Sequence, residues 1–297
     1  MNLKHLKAFV EVADTQHFGR AAVNLKMTQS GLSQMIKALE KSLGTQLIVR
    51  TTRSVELTDI GLNFYQNCQD LIQAHRLADE RMTNVLKGEQ GTVRLGFVAS
   101  AALGIIPKLS VAVTKLAPGI SLVLDEVTTS KQISLIKEGN LDVGLLREVD
   151  QSPGLKIFPL VKEPLVLAVP GDHKLLGRKE VSIRDLREEA FVAYPRKQIS
   201  YLHNHFLKLC DEAGFVPRVA QEAVQFATIL GLVSSNVGIA IVPQSVASIQ
   251  LKNVCFLDIS GPEAFSNIFI ARRLDAMASP VQKRFTEIAL SAFEMSQ

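Results

Sequence analysis

The sequence has no tryptophan, and its three cysteines, Cys68, Cys210 and Cys255, lie far apart and form no CxxC pair. This spacing argues against a disulfide framework and against a zinc ribbon, and it suits a reducing compartment. Lys4 and Glu11 stand among the first apolar residues, where a signal peptide would have an uninterrupted apolar core. We therefore expect the protein to be cytoplasmic.

Patterns that indicate catalysis are also missing. The sequence shows no ordered set of Ser, His and Asp, no glycine-rich phosphate loop and no paired-carboxylate motif. His203 and His205 are two residues apart in a predicted helix, where side chains at that spacing diverge and do not share a metal ion. Cys210 and Cys255 stand among apolar residues, without the partner that activates a thiol. We expect neither an enzyme nor a bound metal or cofactor.

One long stretch of the chain lacks charge. Residues 223–251 contain no Asp, Glu, Lys or Arg, but Gln225, Gly238 and Pro243 interrupt their apolar residues. A membrane-spanning helix needs about 20 continuous apolar residues. The stretch is more typical of a buried core made of a helix, a turn, a short strand and another helix. We therefore expect no membrane partner.

The charge that the sequence does have is unevenly placed. Residues 1–58 hold eight Lys and Arg against four Asp and Glu, an excess that equals the net charge of +4 of the whole chain. Residues 59–297 therefore balance to zero. A basic segment on a neutral body is typical of a nucleic-acid-binding module. Charge alone leaves an unevenly charged soluble surface equally open.

Three helices are predicted in this basic segment. Apolar residues recur at helical spacing over residues 3–13, and a second, short helix fits residues 18–25. Thr28 is a suitable N-cap for a third helix, which Gly44 closes in the position that favours a left-handed residue. Only two residues join the second helix to the third, and so short a joint is typical of a helix-turn-helix.

The third helix has an apolar face and a polar face rich in Gln, Ser and Lys, side chains that bond base edges and phosphates in the major groove. Two short β-type runs then flank the basic segment 50–54, which predicts a wing that reaches phosphates or the minor groove. A three-helix packing unit with a solvated polar face is the alternative. The side chains that we expect to contact DNA are Thr28, Gln29, Ser30, Ser33, Gln34, Lys37, Arg50 and Arg53.

The order of these residues resembles the winged helix-turn-helix of LysR-type transcriptional regulators. The matching positions are Leu6-Lys7-Ala8-Phe9, Phe18-Gly19-Arg20-Ala21-Ala22, Leu25, Thr28-Gln29-Ser30-Gly31-Leu32-Ser33, Ile36-Lys37-Ala38-Leu39-Glu40, Leu43-Gly44, Leu47, Arg50 and Leu57-Thr58. The family usually has Pro-Ala at Ser30-Gly31 and Arg-Gln at Gln34-Met35. One arginine that the resemblance would place on DNA is therefore replaced by Gln34.

Residues 59–88 are predicted to form one long helix with an apolar seam. Residues on the seam alternate at spacings of four and three for three heptads, in the order Phe64, Cys68, Leu71, His75, Ala78, Met82 and Val85. A single helix cannot bury such a seam, so we expect either a partner helix or packing against its own domain. The resemblance implies a linker helix that pairs two subunits. Residues 87–91, with two glycines, are the predicted hinge into the next domain.

Residues 92–297 alternate strands with helices in two sets, which is typical of parallel sheets covered by helices. We expect the chain to cross between two α/β halves near residues 161–164 and 260–266, with strands at 165–169 and 267–271. The segment resembles the LysR effector domain, a relative of periplasmic solute-binding proteins. Matches include Glu126-x-x-Thr129-x-x-Gln132, Gly139-x-Leu141-Asp142-Val143-Gly144-Leu145 and Gly214-Phe215-x-Pro217.

A ligand is expected in the cleft between these halves, at the carboxyl ends of the strands. Hydroxyl residues there open helices after strands, which offers an anion site, although an ordinary N-cap is the alternative. Arg147 follows the third strand of the domain and is expected either to face the cleft or to brace the hinge. The residues that we expect at the ligand are Ser100, Thr128, Thr129, Arg147, Pro195, Arg196, Gln225 and Phe226. A small carboxylate or an aromatic acid would suit them.

The expected architecture is a winged helix-turn-helix (1–58), a linker helix (59–88) and an effector-binding domain (89–297) of the type 2 periplasmic-binding-protein-like α/β class. In that domain, subdomain I covers 92–162 and 265–297, and subdomain II covers 163–264. The resemblance implies a nucleoid-associated transcriptional regulator that binds a palindromic promoter site as a dimer, assembles into a tetramer and responds to a small effector. The alternative is a solute-binding or sensor protein without a transcriptional role.

Overall fold

The structure is a computed structural model that describes residues 1–51, 54–147, 152–197, 199–261 and 264–294. The chain divides into two compact units, Met1–Thr83 and Asn84–Gln297. Each unit has its own apolar core, and each is described by itself below.

The N-terminal unit begins with three helices and a two-stranded hairpin. These are α1 (Leu3–Thr15), α2 (Phe18–Asn24), α3 (Gln29–Leu43), β1 (Ile48–Arg50) and β2 (Val55–Leu57). The Thr28 side chain accepts a hydrogen bond from the N–H of Gly31 and so caps α3, as predicted. Gly44 ends the same helix in a left-handed conformation, with φ of 69°. Strands β1 and β2 pair antiparallel and form the base of the predicted wing.

Apolar residues from all three helices fill the core of this unit. Phe9 of α1 and Leu32 and Ile36 of α3 are fully buried. Glu40 fastens α3 to the hairpin, because its Oε1 accepts hydrogen bonds from the N–H groups of Leu47 and Ile48 at 3.0 and 3.1 Å. Helix α3 is therefore held against both the other two helices and the wing.

A fourth helix, α4 (Asp59–Lys87), spans 29 residues. The Thr58 hydroxyl caps its first turn by accepting a hydrogen bond from the N–H of Gly61 at 2.8 Å. At Gly61 the chain passes so close to β1 that an added Cβ would lie 2.0 Å from the carbonyl oxygen of Leu47. Only glycine permits that approach.

The heptad seam of α4 divides into two parts. Phe64 and Cys68 pack into the core of the N-terminal unit, so for these two positions packing against their own domain is correct. Leu71, Met82 and Val85 remain 51%, 60% and 47% exposed. This C-terminal part of the seam has the exposed apolar side chains that a partner helix would cover.

The C-terminal unit contains the remaining strands and helices. In chain order they are β3 (Gln90–Phe97), α5 (Ile105–Leu116), β4 (Gly119–Glu126), α6 (Thr129–Glu138), β5 (Val143–Arg147), β6 (Leu155–Pro170), β7 (Glu180–Ser182), β8 (Ala190–Ala193), α7 (Ser200–Glu212), β9 (Arg218–Glu222), α8 (Phe226–Ser234), β10 (Ala240–Pro243), β11 (Val254–Ser260), β12 (Phe265–Arg273) and α9 (Pro280–Glu294). Short 3-10 helices stand at Ala99–Leu103, Ile183–Leu186 and Gln244–Ser248.

One long strand, β6, runs through both halves of this unit. The main sheet has the order β4-β3-β5-β12-β6-β11-β7, with β10 also paired to β6. Up to Pro164, β6 pairs with β12 of the first half, and from Leu165 onward it pairs with β10 and β11 of the second. The predicted strand at 165–169 is therefore the end of a 16-residue strand, and residues 161–164 belong to it as well.

Other boundaries also differ from the prediction. A 3-10 turn over Ala99–Leu103, which was not predicted, precedes α5, and α5 begins at Ile105. Arg147 was expected to follow the third strand of the domain, but it is the last residue of that strand, β5. Strands β7, β9 and β11 were not predicted; β7 has only three residues and all five residues of β9 are exposed, so neither of these two shows an apolar alternation.

A buried carboxylate fastens the first half internally. Asp142 accepts hydrogen bonds from the backbone N–H and the guanidinium of Arg94 and from the Gln282 side chain, at 2.7 to 3.1 Å. Burial acts to raise the pKa of Asp142, but the hydrogen bonds from Arg94 and Gln282 outweigh it and hold the pKa below its ordinary value of 3.8.

Acid should therefore weaken this half of the unit. The stabilisation by Asp142 is complete above its ordinary pKa and is lost as the pH falls through the lower pKa of the folded state. Asp142→Asn is expected to lower the free energy of unfolding by about 2 kcal/mol at pH 7 and to flatten its fall in acid. Urea unfolding between pH 7 and pH 3 measures both effects, and an unchanged pH profile would contradict the assignment.

Candidate functional site

A cleft of about 320 Å³ lies between the two halves of the C-terminal unit. Clefts of this size accept small molecules. Its walls come from the first half at β3, β4, α6 and β5, and from the second half at α7 and α8. The lining residues are Val98, Ala99, Ser100, Glu126, Val127, Thr128, Thr129, Ser130, Arg147, Lys197, Ile199, Tyr201, Leu202, Val224, Gln225 and Phe226.

The N-terminus of α6 opens into this cleft. Thr128 occupies the N-cap position, but its side chain makes no capping hydrogen bond and its Oγ1 lies 3.4 Å from the Ser130 Oγ. Ser100 does not cap a helix either, since Val98 is the N-cap of the 3-10 turn and Ser100 lies inside it. The alternative that both hydroxyls are ordinary caps is therefore wrong. The first turn of α6 offers N–H groups without a side-chain cap, which favours an anionic ligand.

Arg147 forms the floor of the cleft and is 3% exposed. Its Nε donates to the Ser100 Oγ at 2.9 Å, and its Nη2 donates to Glu163 Oε2 at 2.5 Å. Its Nη1 donates to the Ser266 hydroxyl. Thr129 Oγ1 exchanges hydrogen bonds with the Arg147 backbone, at 3.1 and 3.2 Å. Arg147 was expected either to face the cleft or to brace the hinge. It lines the cleft and also braces the strands behind it.

Glu163 links the two halves behind that floor. One carboxylate oxygen pairs with Arg147 of the first half, and Oε1 accepts a hydrogen bond from the N–H of Ser245 in the second half at 2.9 Å. The Ser245 hydroxyl donates to the carbonyl oxygen of Ser100 at 3.2 Å. A ligand that touches Ser100 or Arg147 is thus one hydrogen bond away from groups that hold the halves together.

Six of the eight residues predicted at the ligand line the cleft. Pro195 and Arg196 do not belong to the lining, and the Arg196 side chain is exposed in a turn. The neighbouring Lys197 lines the cleft in their place, and Tyr201 was also missed. A signal for Tyr201 was present, because it stands in the first turn of a helix that follows a strand, as Thr129 does.

The charges on the lining come from three side chains. Glu163 balances the charge of Arg147, so among the lining residues that the structure describes Lys197 is the cation left for a ligand, and Glu126 is an exposed anion. Tyr201, Phe226 and the aliphatic side chains supply an apolar surface. The cleft therefore suits a small molecule with one anionic end and an apolar body.

Two histidines, His203 and His205, and two buried thiols lie outside the cleft. His203 Nδ1 lies 2.6 Å from the carbonyl oxygen of Tyr194, and the His205 ring stacks on Tyr201 at 5.6 Å between centroids. Across the described ranges, no three His, Cys, Asp or Glu side chains gather as a metal ion would require. Burial raises the pKa of the Cys68 thiol to about 11 and that of Cys210 to about 12, which opposes thiolate chemistry.

The polar face of α3 presents the side chains predicted to contact DNA. Gln29, Ser30, Gln34 and Lys37 are exposed, and Ser33 is half-buried. Thr28 is exposed and caps the helix, while Arg53 lies outside the described residues.

Arg50 departs from its expected place on the wing. It is half-buried, its Nη1 donates to the Ser33 Oγ at 2.7 Å, and its guanidinium lies 4.1 Å from the ring centroid of Phe18. The neighbouring helices therefore hold the guanidinium of Arg50, and its contact with DNA stays a prediction.

Within the part of the chain that the structure describes, each helix is too short or too polar to cross a bilayer.

Two family profiles match this chain, one over each of its two parts. The family profile for the LysR substrate binding domain matches residues 86–294, and that for the bacterial regulatory helix-turn-helix protein, lysR family, matches residues 3–62. The chain is 34% identical to the HTH-type transcriptional regulator AlsR of Bacillus subtilis (strain 168), over 97% of this chain and 95% of AlsR.

Solved structures give the same result. The crystal structure of CbnR, a LysR family transcriptional regulator, matches with a TM-score of 0.90 at 26% identity, over 97% of this chain and 100% of that chain. Full-length CbnR complexed with its target DNA matches with a TM-score of 0.84 at 25% identity, over 98% and 99% of the two chains. The expected fold class is confirmed.

Proposed function

We propose, from the premise that this chain belongs to the LysR family of transcriptional regulators, that a small carboxylate or aromatic acid in the C-terminal cleft controls it. The helix-turn-helix binds DNA, the C-terminal domain binds the effector, and the chain self-associates, as regulators of this family do. The observation that carries the proposal is the N-terminus of α6, which has no side-chain cap and faces a cleft that Lys197 also lines.

The chemistry of the cleft supports an acid. An anionic end would accept hydrogen bonds from the α6 N–H groups and the Thr128 and Ser130 hydroxyls, and an apolar body would pack against Phe226. A volume of about 320 Å³ limits the ligand to a small molecule. Of the eight residues predicted at the ligand, we keep the six that line the cleft and add Lys197 to them. Pro195 and Arg196 directly precede Lys197 in the chain but do not line the cleft.

The first test is calorimetry with benzoate and succinate, each compared with its neutral amide. We expect binding by the acids only, and about tenfold weaker binding in Thr128→Ala, because a charge-assisted hydrogen bond contributes on the order of 1.5 kcal/mol. Ser134→Ala is the matched control, since this hydroxyl stands on the same helix but outside the cleft. Equal binding of acid and amide would overturn the proposal.

The finer assembly is also proposed. We assign the DNA-binding domain to 1–58, the linker helix to 59–88 and the effector domain to 89–297, with subdomain II at 163–264. Two chains pair through the exposed part of the α4 seam, bind a palindromic site at the nucleoid and associate into a tetramer. The exposed seam residues support the pairing.

Sedimentation tests the pairing helix. Leu71→Glu is expected to shift the chain toward the monomer, because it places a charge on the exposed seam. Gln73→Glu, on the same helix but off the seam, is the matched control. An unchanged sedimentation coefficient in Leu71→Glu would contradict the assignment.

A sensor without a transcriptional role has no support left, because the helix-turn-helix profile matches residues 3–62.

A further inference from the structure

The side chain of Arg50 connects three elements of the N-terminal unit. It extends from the last residue of β1, lies 4.1 Å from the ring centroid of Phe18 in α2, and donates from Nη1 to the Ser33 Oγ of α3 at 2.7 Å. Its Nη2 is buried and has no hydrogen-bond partner among the described residues. One guanidinium nitrogen is thus bonded to Ser33, and another is shielded from solvent.

We propose that Arg50 is a positioning residue for DNA recognition, which fixes the Ser33 hydroxyl for base contact and does not itself bind a phosphate. The inference rests on the proposed DNA contact at Ser33. Ser33 lies on the face of α3 that carries Gln29 and Lys37, one turn from each.

The hydrogen bond sets the direction of the Ser33 hydroxyl. Its oxygen accepts from a charged donor, so its own hydrogen must point elsewhere, and the charge of Arg50 makes that hydrogen a stronger donor. In the major groove such a donor suits N7 or O6 of guanine, N7 of adenine or O4 of thymine. Arg50 therefore acts on the choice of sequence through Ser33.

Arginine suits this place for a geometric reason. Its planar group can lie over an aromatic ring while one nitrogen donates in the plane, whereas the ammonium of lysine has no plane. Lysine does, however, keep the positive charge that a phosphate contact needs. Arg50→Lys therefore separates the two roles.

The experiment needs a specific duplex, obtained by selection from a random pool with the full chain. The affinities of the parent, Arg50→Lys, Ser33→Ala and the double variant are then measured on the selected duplex and on a scrambled one. We expect Arg50→Lys to lower the ratio of specific to nonspecific affinity about tenfold, with nonspecific affinity unchanged. In the Ser33→Ala background, Arg50→Lys should have little further effect on the ratio, because the contact is already lost.

Lys37→Ala is the matched control on the same helix. Removing this exposed cation should weaken both duplexes alike and reduce the salt dependence of binding. Thermal unfolding of each variant separates a loss of fold, which lowers both affinities together, from a loss of specificity.

Two results would overturn the inference. One is full affinity and specificity in Arg50→Lys, as expected of a phosphate contact. The other is independent, additive losses in the double variant. If the parent selects no duplex, both the inference and the proposed DNA contact fail, which distinguishes that case from a failure of the inference alone.

Discussion

Replacing Glu163 with alanine is expected to lower the free energy of unfolding of the C-terminal unit by about 3 to 5 kcal/mol, because it leaves the buried charge of Arg147 without its partner. It also removes the acceptor of the Ser245 N–H, which is the hydrogen bond to the second half. Urea unfolding followed by circular dichroism measures the loss. We expect the response to the effector to fall as well, since the link behind the cleft is cut.

Two comparisons make this result specific. Glu287→Ala removes the acid of an exposed ion pair with Arg284, 3.6 Å apart, and is expected to change stability by less than about 0.5 kcal/mol. The double variant Arg147→Met with Glu163→Leu removes both charges and should be more stable than Glu163→Ala alone. If the single and double variants lost equal stability, the uncompensated charge would not be the cause.

Gly61→Ala is expected to cost the N-terminal unit at least about 3 kcal/mol. The added Cβ would lie 2.0 Å from the carbonyl oxygen of Leu47, and a backbone atom cannot turn aside as a side chain can. The wing strand and the start of α4 would have to separate, so the full chain should lose DNA binding in a gel-shift assay. Thermal unfolding would show a lower midpoint for this unit.

Gly231→Ala is the control for a helical glycine. An added Cβ there meets no atom within 4 Å, so this substitution should be neutral or stabilise the chain by up to about 1 kcal/mol. Normal stability and DNA binding in Gly61→Ala would show that the approach of α4 to β1 can relax without harm.

Local signals predicted the N-terminal helices well. The cap at Thr28 and the left-handed Gly44 depend on residues within one turn, and such features can be read from sequence. Strand β9 shows the opposite case, because all five of its residues are exposed and no alternation marks it. Strand β6 was shortened in the prediction because Pro159 and Pro164, which usually interrupt strands, stand inside it.

The sequence predicted where the candidate sites lie, but it did not predict which residues their arginines contact. Hydroxyl residues after strands indicated the cleft, since the ends of parallel strands meet at one edge of a sheet. The role of Arg147 depends on Glu163 and Ser266, which are distant in sequence, and nothing local specifies them. Arg50 was assigned to DNA because a cation on a wing usually faces solvent, whereas here the ring of Phe18 and the Ser33 hydroxyl hold it inward.

The continuity of β6 limits how the two halves can move. A flexible loop would allow them to rotate freely about a few bonds, but here the pairing passes from β12 to β10 and β11 between Pro164 and Leu165. Pro164 has no N–H to donate and a fixed φ, so the strand has little freedom there. Closing the cleft must then change the twist of a paired strand over several residues. We expect the resistance of such a joint to grow with displacement and to return the two halves to their resting positions when a ligand leaves.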